Sequence, residues 1–325
     1  MITLGGTIAS TQAVTGGVAP SLSGHELLQA VPQLILVADL DTAALKNVPS
    51  TDITVDDVIT LATAIRDAFA HGVQGVVVTQ GTDTLEETAF ALDLLLDTAN
   101  PIVVTGAMRA ADEPGADGPA NLLAAVQVAA SPDAARTGVL IVAADEIHAA
   151  RYVRKFHATR VAAFASPGRG PIGIVVEGRP RFFWNPMNTS HIDLNLLIDR
   201  QVRVGIVPTF MGDDGSLLRS AARAGFNALV LEASGAGHVS SAVAAASSEV
   251  ISGMPLVLVT RVISGPILQS TYSYPGSESD LIRRGLIPGG ALDALKARLL
   301  LTLLLMAGAA RTSIQDAFAQ FLAIR

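Results

Sequence analysis

Short runs with no polar face alternate with longer runs of helical periodicity along most of this chain. That alternation is the signature of βαβ units and of a mostly parallel sheet covered on both faces. Strands are expected at Leu34–Val37, Gly75–Thr79, Ile102–Thr105, Val139–Ala143, Ile172–Val176, Val202–Ile206, Ala228–Leu231 and Leu256–Val259. Helices are expected at Gly24–Val31, Val55–Ala70, Leu85–Asp97, Pro119–Ala130, Ser216–Ala224, Ser240–Ile251, Ala291–Ala307 and Ser313–Phe321. The rhythm breaks between Phe182 and Leu197, around Trp184-Asn185-Pro186-Met187. A chain of 325 residues ordinarily divides into more than one domain. The expected fold is α/β in two domains: a larger N-terminal parallel-sheet domain with flanking helices over residues 1–184, a linker at 185–200, and a smaller C-terminal α/β domain over 201–325.

Composition narrows the function. Half of the residues are apolar and 16% are charged, which suits buried parallel strands. A net charge of −7, with no cluster of Lys or Arg to offset it, argues against nucleic acid as a partner. With no cysteine there is no disulfide, thiolate metal site or catalytic thiol. Met1 to Leu4 is too short for a signal peptide, and so abrupt for a buried strand that a few residues are expected to precede it. The apolar run Leu299–Ala310 falls short of the ~20 residues that span a bilayer and reads as a core helix. The expectation is a cytoplasmic protein that binds no membrane.

One stretch carries more than structure. Val76 to Ala89 reads V-V-V-T-Q-G-T-D-T-L-E-E-T-A, a buried strand followed by a helix start. Thr84 and Glu87 are spaced as a capping box. Capping leaves Thr82 and Asp83 unexplained, and the turn at the carboxyl end of such a strand is where open α/β sheets bind ligands. Near the chain's start, Gly5-Gly6-Thr7-Ile8-Ala9 pairs two glycines, which allow close backbone approach, with a hydroxyl. Pro49-Ser50-Thr51-Asp52 precedes the helix at Val55, where Ser50 or Asp52 could serve as a cap. Lys155, in Tyr152-Val-Arg154-Lys155-Phe156, sits where a lysine is ordinarily a solvated surface residue. Gly168-Arg-Gly170-Pro-Ile-Gly173 spells a dinucleotide fingerprint, but Pro171 and a following strand make it a turn. The six histidines show no metal-ligand spacing.

Together these residues resemble the bacterial-type L-asparaginase/glutaminase family. Gly5–Ala9 is similar to its first signature and Gln80–Ala89 to its second, with Gly106–Asn121 and Arg151–Pro167 also similar. The resemblance spans essentially the whole chain. It implies two α/β domains, a homotetramer built from intimate dimers, no metal and no cofactor. It also implies roles. Thr7 falls on the threonine that attacks the side-chain amide. Thr82 falls on the second catalytic threonine, with Lys155 and Asp83 as its partners. Ser50 falls on the serine that holds the substrate α-carboxylate, Asp83 also receives the α-amino group, and Glu278 aligns with an acid that reaches a neighbouring subunit's site.

The chain departs from the family in places. Ser10 to Ser23 contains no tyrosine where the family has one in a mobile loop, although Gly16 and Gly17 suit a lid. Of the three tyrosines, Tyr152, Tyr272 and Tyr274, the last two precede Glu278 and are candidates to enter a partner's site. Gln80 stands where many relatives have histidine. Thr51 replaces a glutamine often found beside the carboxylate-binding serine, weakening one contact to the substrate. The implied reaction is hydrolysis of L-asparagine to L-aspartate and ammonia through an acyl-enzyme. Glutamine is a second candidate substrate, and because one methylene gives only ~1–3 kcal/mol of discrimination the sequence does not rank the two. A threonine is a poor nucleophile at neutral pH, so a desolvated Lys155 acting through Thr82 would serve as base. Two other readings compete. One is an amino-acid sensor of little activity. The other is a tRNA-dependent amidotransferase subunit, which would carry a further domain ahead of the first signature and a basic RNA surface.

Overall fold

The computed structural model describes residues 1–12, 16–186, 191–197 and 201–322. The chain forms two compact units, Met1–Leu194 and Asn195–Arg325. Within the stretch expected to be a linker, residues 187–190 and 198–200 lie outside the described residues.

The strands of the first unit are β1 (Ile2–Thr3), β2 (Ser10–Gln12), β3 (Val18–Pro20), β4 (Ala43–Ala44), β5 (Val76–Thr79), β6 (Ile102–Thr105), β7 (Val139–Ala143), β8 (Glu146–Ala149), β9 (Arg154–Lys155), β10 (Phe164–Ala165), β11 (Gly173–Val176) and β12 (Arg179–Phe182). Its helices are α1 (Gly24–Gln29), α2 (Val55–Ala70), α3 (Leu85–Leu95) and α4 (Gly118–Ala129). Eight strands form one sheet in the order β12-β11-β8-β7-β6-β5-β1-β4. From β4 to β7 the pairing is parallel. Every residue of β5, β6 and β7 is buried, as expected for strands with no polar face. On one face, Val77, Val103, Leu140 and Val142 pack with Leu122, Ala125 and Val128 of α4.

The sheet departs from the expected pattern at its far edge. Strands β8, β11 and β12 pair antiparallel. The β7–β8 turn is made by Ala144 and Asp145, both at positive φ (50° and 62°), the backbone a tight hairpin needs. Neither is glycine, so no local signal announced it. The expected strand Leu34–Val37 is a 3-10 turn, Pro32–Leu36. Pro32 fixes φ at its start, and of its apolar side chains Leu34 alone is buried while Ile35 and Leu36 face solvent. A short apolar run does not by itself distinguish these outcomes.

The second unit contains β13 (Val204–Pro208), α5 (Ser216–Arg223), β14 (Ala228–Ala233), α6 (Ser241–Val250), β15 (Leu256–Thr260), α7 (Glu278–Arg284), β16 (Ile287–Pro288), α8 (Ala294–Met306) and α9 (Arg311–Ala319). Its four strands are parallel and pair in chain order. β13 starts two residues later than expected and ends in Pro208, which its edge position tolerates. Helix α8 is buried along most of its length and packs on β13, β14 and β15. Among the described residues no helix is long and apolar enough to cross a membrane.

Candidate active site

The chain turns back one strand in from an edge of the larger sheet. From β1 it adds β4 on one side, then returns to place β5, β6 and β7 on the other. Ligands bind at such a reversal, in the crevice beyond the carboxyl ends of the diverging strands. Here the two loops leaving that crevice are Gly5-Gly6-Thr7 after β1 and Gln80-Gly81-Thr82-Asp83 after β5. They touch. Gly6 has φ +84°, and a Cβ placed on it would lie 2.0 Å from Gly81 N and 2.2 Å from Gly81 Cα. Glycine is therefore required there twice over, for its backbone angle and for the contact. A Cβ on Gly81 would in turn lie 2.9 Å from Ser50 Oγ, so the turn holding Ser50 closes against the same point.

These contacts bring Thr7, Ser50, Thr82, Asp83, Met108 and Lys155 to one cavity of about 400 Å³. Lys155 Nζ donates to Thr82 Oγ1 at 2.8 Å and lies 2.5 Å from Asp83 Oδ1. Its side chain is 15% exposed, so it is not the solvated surface lysine that its sequence context suggests. Asp83 is 64% exposed and open to a ligand on its outer side. Thr82 donates its own proton to Met108 Sδ at 3.4 Å. Ser50 is buried, and its hydroxyl accepts the Asp83 N–H at 3.2 Å. Thr51 beside it is exposed and does not line the cavity. Among the described residues the Thr7 hydroxyl makes no side-chain hydrogen bond, and the Thr82 N–H has no acceptor.

The expected capping box at α3 is absent. Thr84 makes no side-chain cap bond. Its hydroxyl donates instead to the Ser50 carbonyl at 2.7 Å and accepts from Gln80 Nε2 at 3.1 Å. Thr84 thus ties the Ser50 turn to the β5 loop, a non-local role that local spacing cannot reveal. A true capping box, Thr54 with Asp57, opens α2.

Several contributors escape sequence reasoning. Glu86, buried in the first turn of α3, accepts the Lys155 backbone N–H. Asp117 accepts the N–H groups of Met108 and Arg109 at 2.9 Å each. Asn121 donates to the Gly106 carbonyl and to Asp117, both at 3.0 Å, and accepts the Ala144 N–H. The start of α4 therefore holds the Gly106–Arg109 loop so that Met108 faces Thr82. The available signal was the polar run Asp117-Gly-Pro-Ala-Asn121, which presents a carboxylate and an amide at i, i+4.

Glu278, Tyr272 and Tyr274 belong to the second unit and form a cluster of their own. Glu278 Oε1 accepts the N–H groups of Thr271 and Tyr272 at 2.8 Å each, and Oε2 lies 3.1 Å from His238 Nε2. Burial pushes the Glu278 pKa up, but the Tyr272 and Thr271 N–H donors and His238 outweigh it and hold the carboxyl below its usual range. The half-exposed rings of Tyr272 and Tyr274 lie 4.9 and 5.7 Å from the His238 ring. Among the described residues no cluster of three or more His, Asp or Glu could hold a metal ion.

Comparison with known proteins gives this geometry a family. The family model "Asparaginase, N-terminal" matches residues 1–188, and "Glutaminase/Asparaginase C-terminal domain" matches residues 203–318. The chain is 35% identical over 323 residues to an L-asparaginase of Bacillus licheniformis, covering 98% of each. It is also 30% identical over 288 residues to one subunit of a glutamyl-tRNA(Gln) amidotransferase of Methanococcus vannielii, covering 84% of this chain and 67% of that one. The crystal structure of a probable cytoplasmic L-asparaginase from Campylobacter jejuni superposes with a TM-score of 0.87 at 32% identity, covering 98% of both chains. Two family domains in order, matched along nearly the full length and carried on the same fold, identify this chain as a member of the asparaginase family.

Proposed function

We propose that the protein is an amidohydrolase that cleaves the side-chain amide of L-asparagine to L-aspartate and ammonia. The observation that carries this reading is Lys155 Nζ standing 2.8 Å from Thr82 Oγ1 and 2.5 Å from Asp83, on the cavity that Thr7 also lines. Thr7 Oγ attacks the amide carbon as its proton passes, by way of Thr82 and Lys155, to the departing nitrogen. The Thr82 N–H, which has no acceptor among the described residues, serves as the oxyanion donor in this reading, a donor of a kind typically worth ~3–4 kcal/mol. Collapse expels ammonia and leaves an aspartyl ester on Thr7. Water then attacks that ester, activated through Thr82 and Lys155, and regenerates the hydroxyl.

The α-ammonium of asparagine is received by Asp83, beside Lys155. The α-carboxylate is received by the Ser50 hydroxyl and neighbouring backbone N–H groups. Asparagine is the main substrate in this reading, with minor glutaminase activity. The enzyme is proposed to be cytoplasmic and a homotetramer of intimate dimers. Glu278 itself is fully buried, its carboxylate spent on the Thr271 and Tyr272 N–H groups and His238, so it reaches a partner's site only through the exposed segment it holds, where Tyr272 or Tyr274 takes the place of the missing lid tyrosine.

The test is ammonia release from asparagine and from glutamine by the parent protein and by Thr7→Ala. The parent is expected to release ammonia faster from asparagine, and Thr7→Ala to lose turnover of both. Binding of asparagine without ammonia release would instead favour a sensor. That alternative draws its support from the absence of tyrosine between Ser10 and Ser23. The match to the amidotransferase supports a third outcome, ammonia transfer to a tRNA-linked acceptor.

A further inference from the structure

Lys155 reaches Thr82 from a ribbon, not from the main sheet. Among the described residues β9 pairs with β10 alone, Lys155 opposite Phe164. A two-stranded ribbon is at best marginally stable by itself. The place of Lys155 Nζ therefore depends on what pins the ribbon to the body of the unit. One pin is the Glu86 carboxylate on the Lys155 N–H. Another lies two residues past Phe164, where Ser166 Oγ is 2.9 Å from His148 Nδ1.

His148 lies in β8 of the large sheet, opposite Ile141 of β7, and its side chain is 1% exposed. β11 faces β8 with Gly173 and Ile174, and the charged group at its ring is Glu146, 3.2 Å from Nε2. That carboxylate decides the tautomer. Nε2 carries the proton and donates to Glu146, so Nδ1 is left as an acceptor for the Ser166 hydroxyl. Burial holds the His148 pKa below its ordinary value of 6.5 against the opposing pull of Glu146, which keeps the ring neutral and the acceptor free. The order acid, imidazole, hydroxyl is that of a hydrolase relay. Ser166, however, is 4% exposed, so its hydroxyl cannot meet an amide. Its carbonyl is engaged as well, accepting the N–H groups of Arg169 and Gly170 at the turn that follows. The relay anchors rather than attacks.

We propose that His148, acting through Ser166, is a positioning residue that fixes the Lys155 ribbon and so sets the reach of Lys155 Nζ to Thr82. This rests on the proposed role of Lys155, and the experiment separates the two. His148→Leu, His148→Asn, Ser166→Ala, the double variant His148→Leu/Ser166→Ala and Lys155→Met are compared by steady-state ammonia release from asparagine, with folding checked by circular dichroism and melting. His148→Leu and Ser166→Ala are expected to lower kcat roughly ten- to hundredfold, the scale of an ångström's misplacement, with KM changed by less than about twofold. The double variant should be no worse than either single one, as for two ends of one interaction. His148→Asn keeps an oxygen acceptor near the Nδ1 position and should restore most of kcat. Ser166→Ala removes a single oxygen, so it decides the matter even where His148→Leu fails to fold. An inactive Lys155→Met beside a fully active Ser166→Ala overturns the positioning role and leaves the hydrolase reading intact. A fully active Lys155→Met overturns both.

Discussion

The tightest constraint on the site is the contact between its two glycine turns, and Gly6→Ala attacks it directly. The new Cβ would lie 2.0 Å from Gly81 N, and restoring ordinary contact at 3.4 Å requires the turns to part by about 1.4 Å. The backbone at φ +84°, ψ −177° lies in a region essentially reserved for glycine and adds roughly 1–3 kcal/mol for a residue with a Cβ. Overpacking of backbone against backbone adds about 1–3 kcal/mol more. Thr7 follows Gly6 and Thr82 follows Gly81, so the shift moves the two hydroxyls apart. A misplacement of that size is expected to lower kcat by about a hundredfold or more. Gly72→Ala is the control. Gly72 has φ +92° but nothing within 4 Å of the added atom, so it carries a positive-φ strain without the collision. Steady-state ammonia release and thermal melting on both variants separate the effects. Gly72→Ala should melt a few degrees lower, about 2–4 °C per kcal/mol, with unchanged kcat. Gly6→Ala with parental kcat would refute the claim that the two turns fix the catalytic geometry.

Four further outcomes follow from the structure. Arg151→Met strands Asp93, whose Oδ2 it meets at 2.8 Å in a buried setting, and should lower stability by about 3–5 kcal/mol in urea unfolding, with little effect on KM. His148 has a folded pKa below its unfolded value, so the unfolded chain binds the extra proton first. Stability should therefore fall as pH drops below about 6.5, and His148→Asn should flatten that part of the curve. Glu278, also depressed, adds a second loss below about 4.5, where the unfolded carboxyl begins to protonate. Tyr272→Phe and Tyr274→Phe, assayed separately for ammonia release, test whether either phenol replaces the lid tyrosine; full activity in both excludes them.

The legible part of the fold was whatever burial writes into a short window. β5, β6 and β7 could be read because strands covered on both faces need apolar residues at every position, and Val76–Val78 and Val139–Val142 have them. The glycine turns and their hydroxyls could be read for a similar reason, since close approach demands glycine at Gly6 and Gly81. What could not be read depends on partners far along the chain. Thr84 looked like a helix cap because its spacing to Glu87 fits one, yet its hydroxyl goes to the Ser50 carbonyl, 34 residues away. Glu86 carries no local sign of its role, which is to hold the Lys155 N–H, 69 residues away. The β7–β8 hairpin was hidden because Ala144 and Asp145 adopt positive φ that only tertiary packing imposes.

In the proposed reaction Lys155 drives proton transfer through Thr82 at a site shared with Thr7. Asparagine-dependent ammonia release by Lys155→Met, in protein with an unchanged circular dichroism spectrum, tests it most directly. Loss of the amine is expected to lower kcat about 10²–10⁴-fold, the range for removing a general base. A Lys155→Met enzyme that turns over asparagine at the parental rate would contradict it.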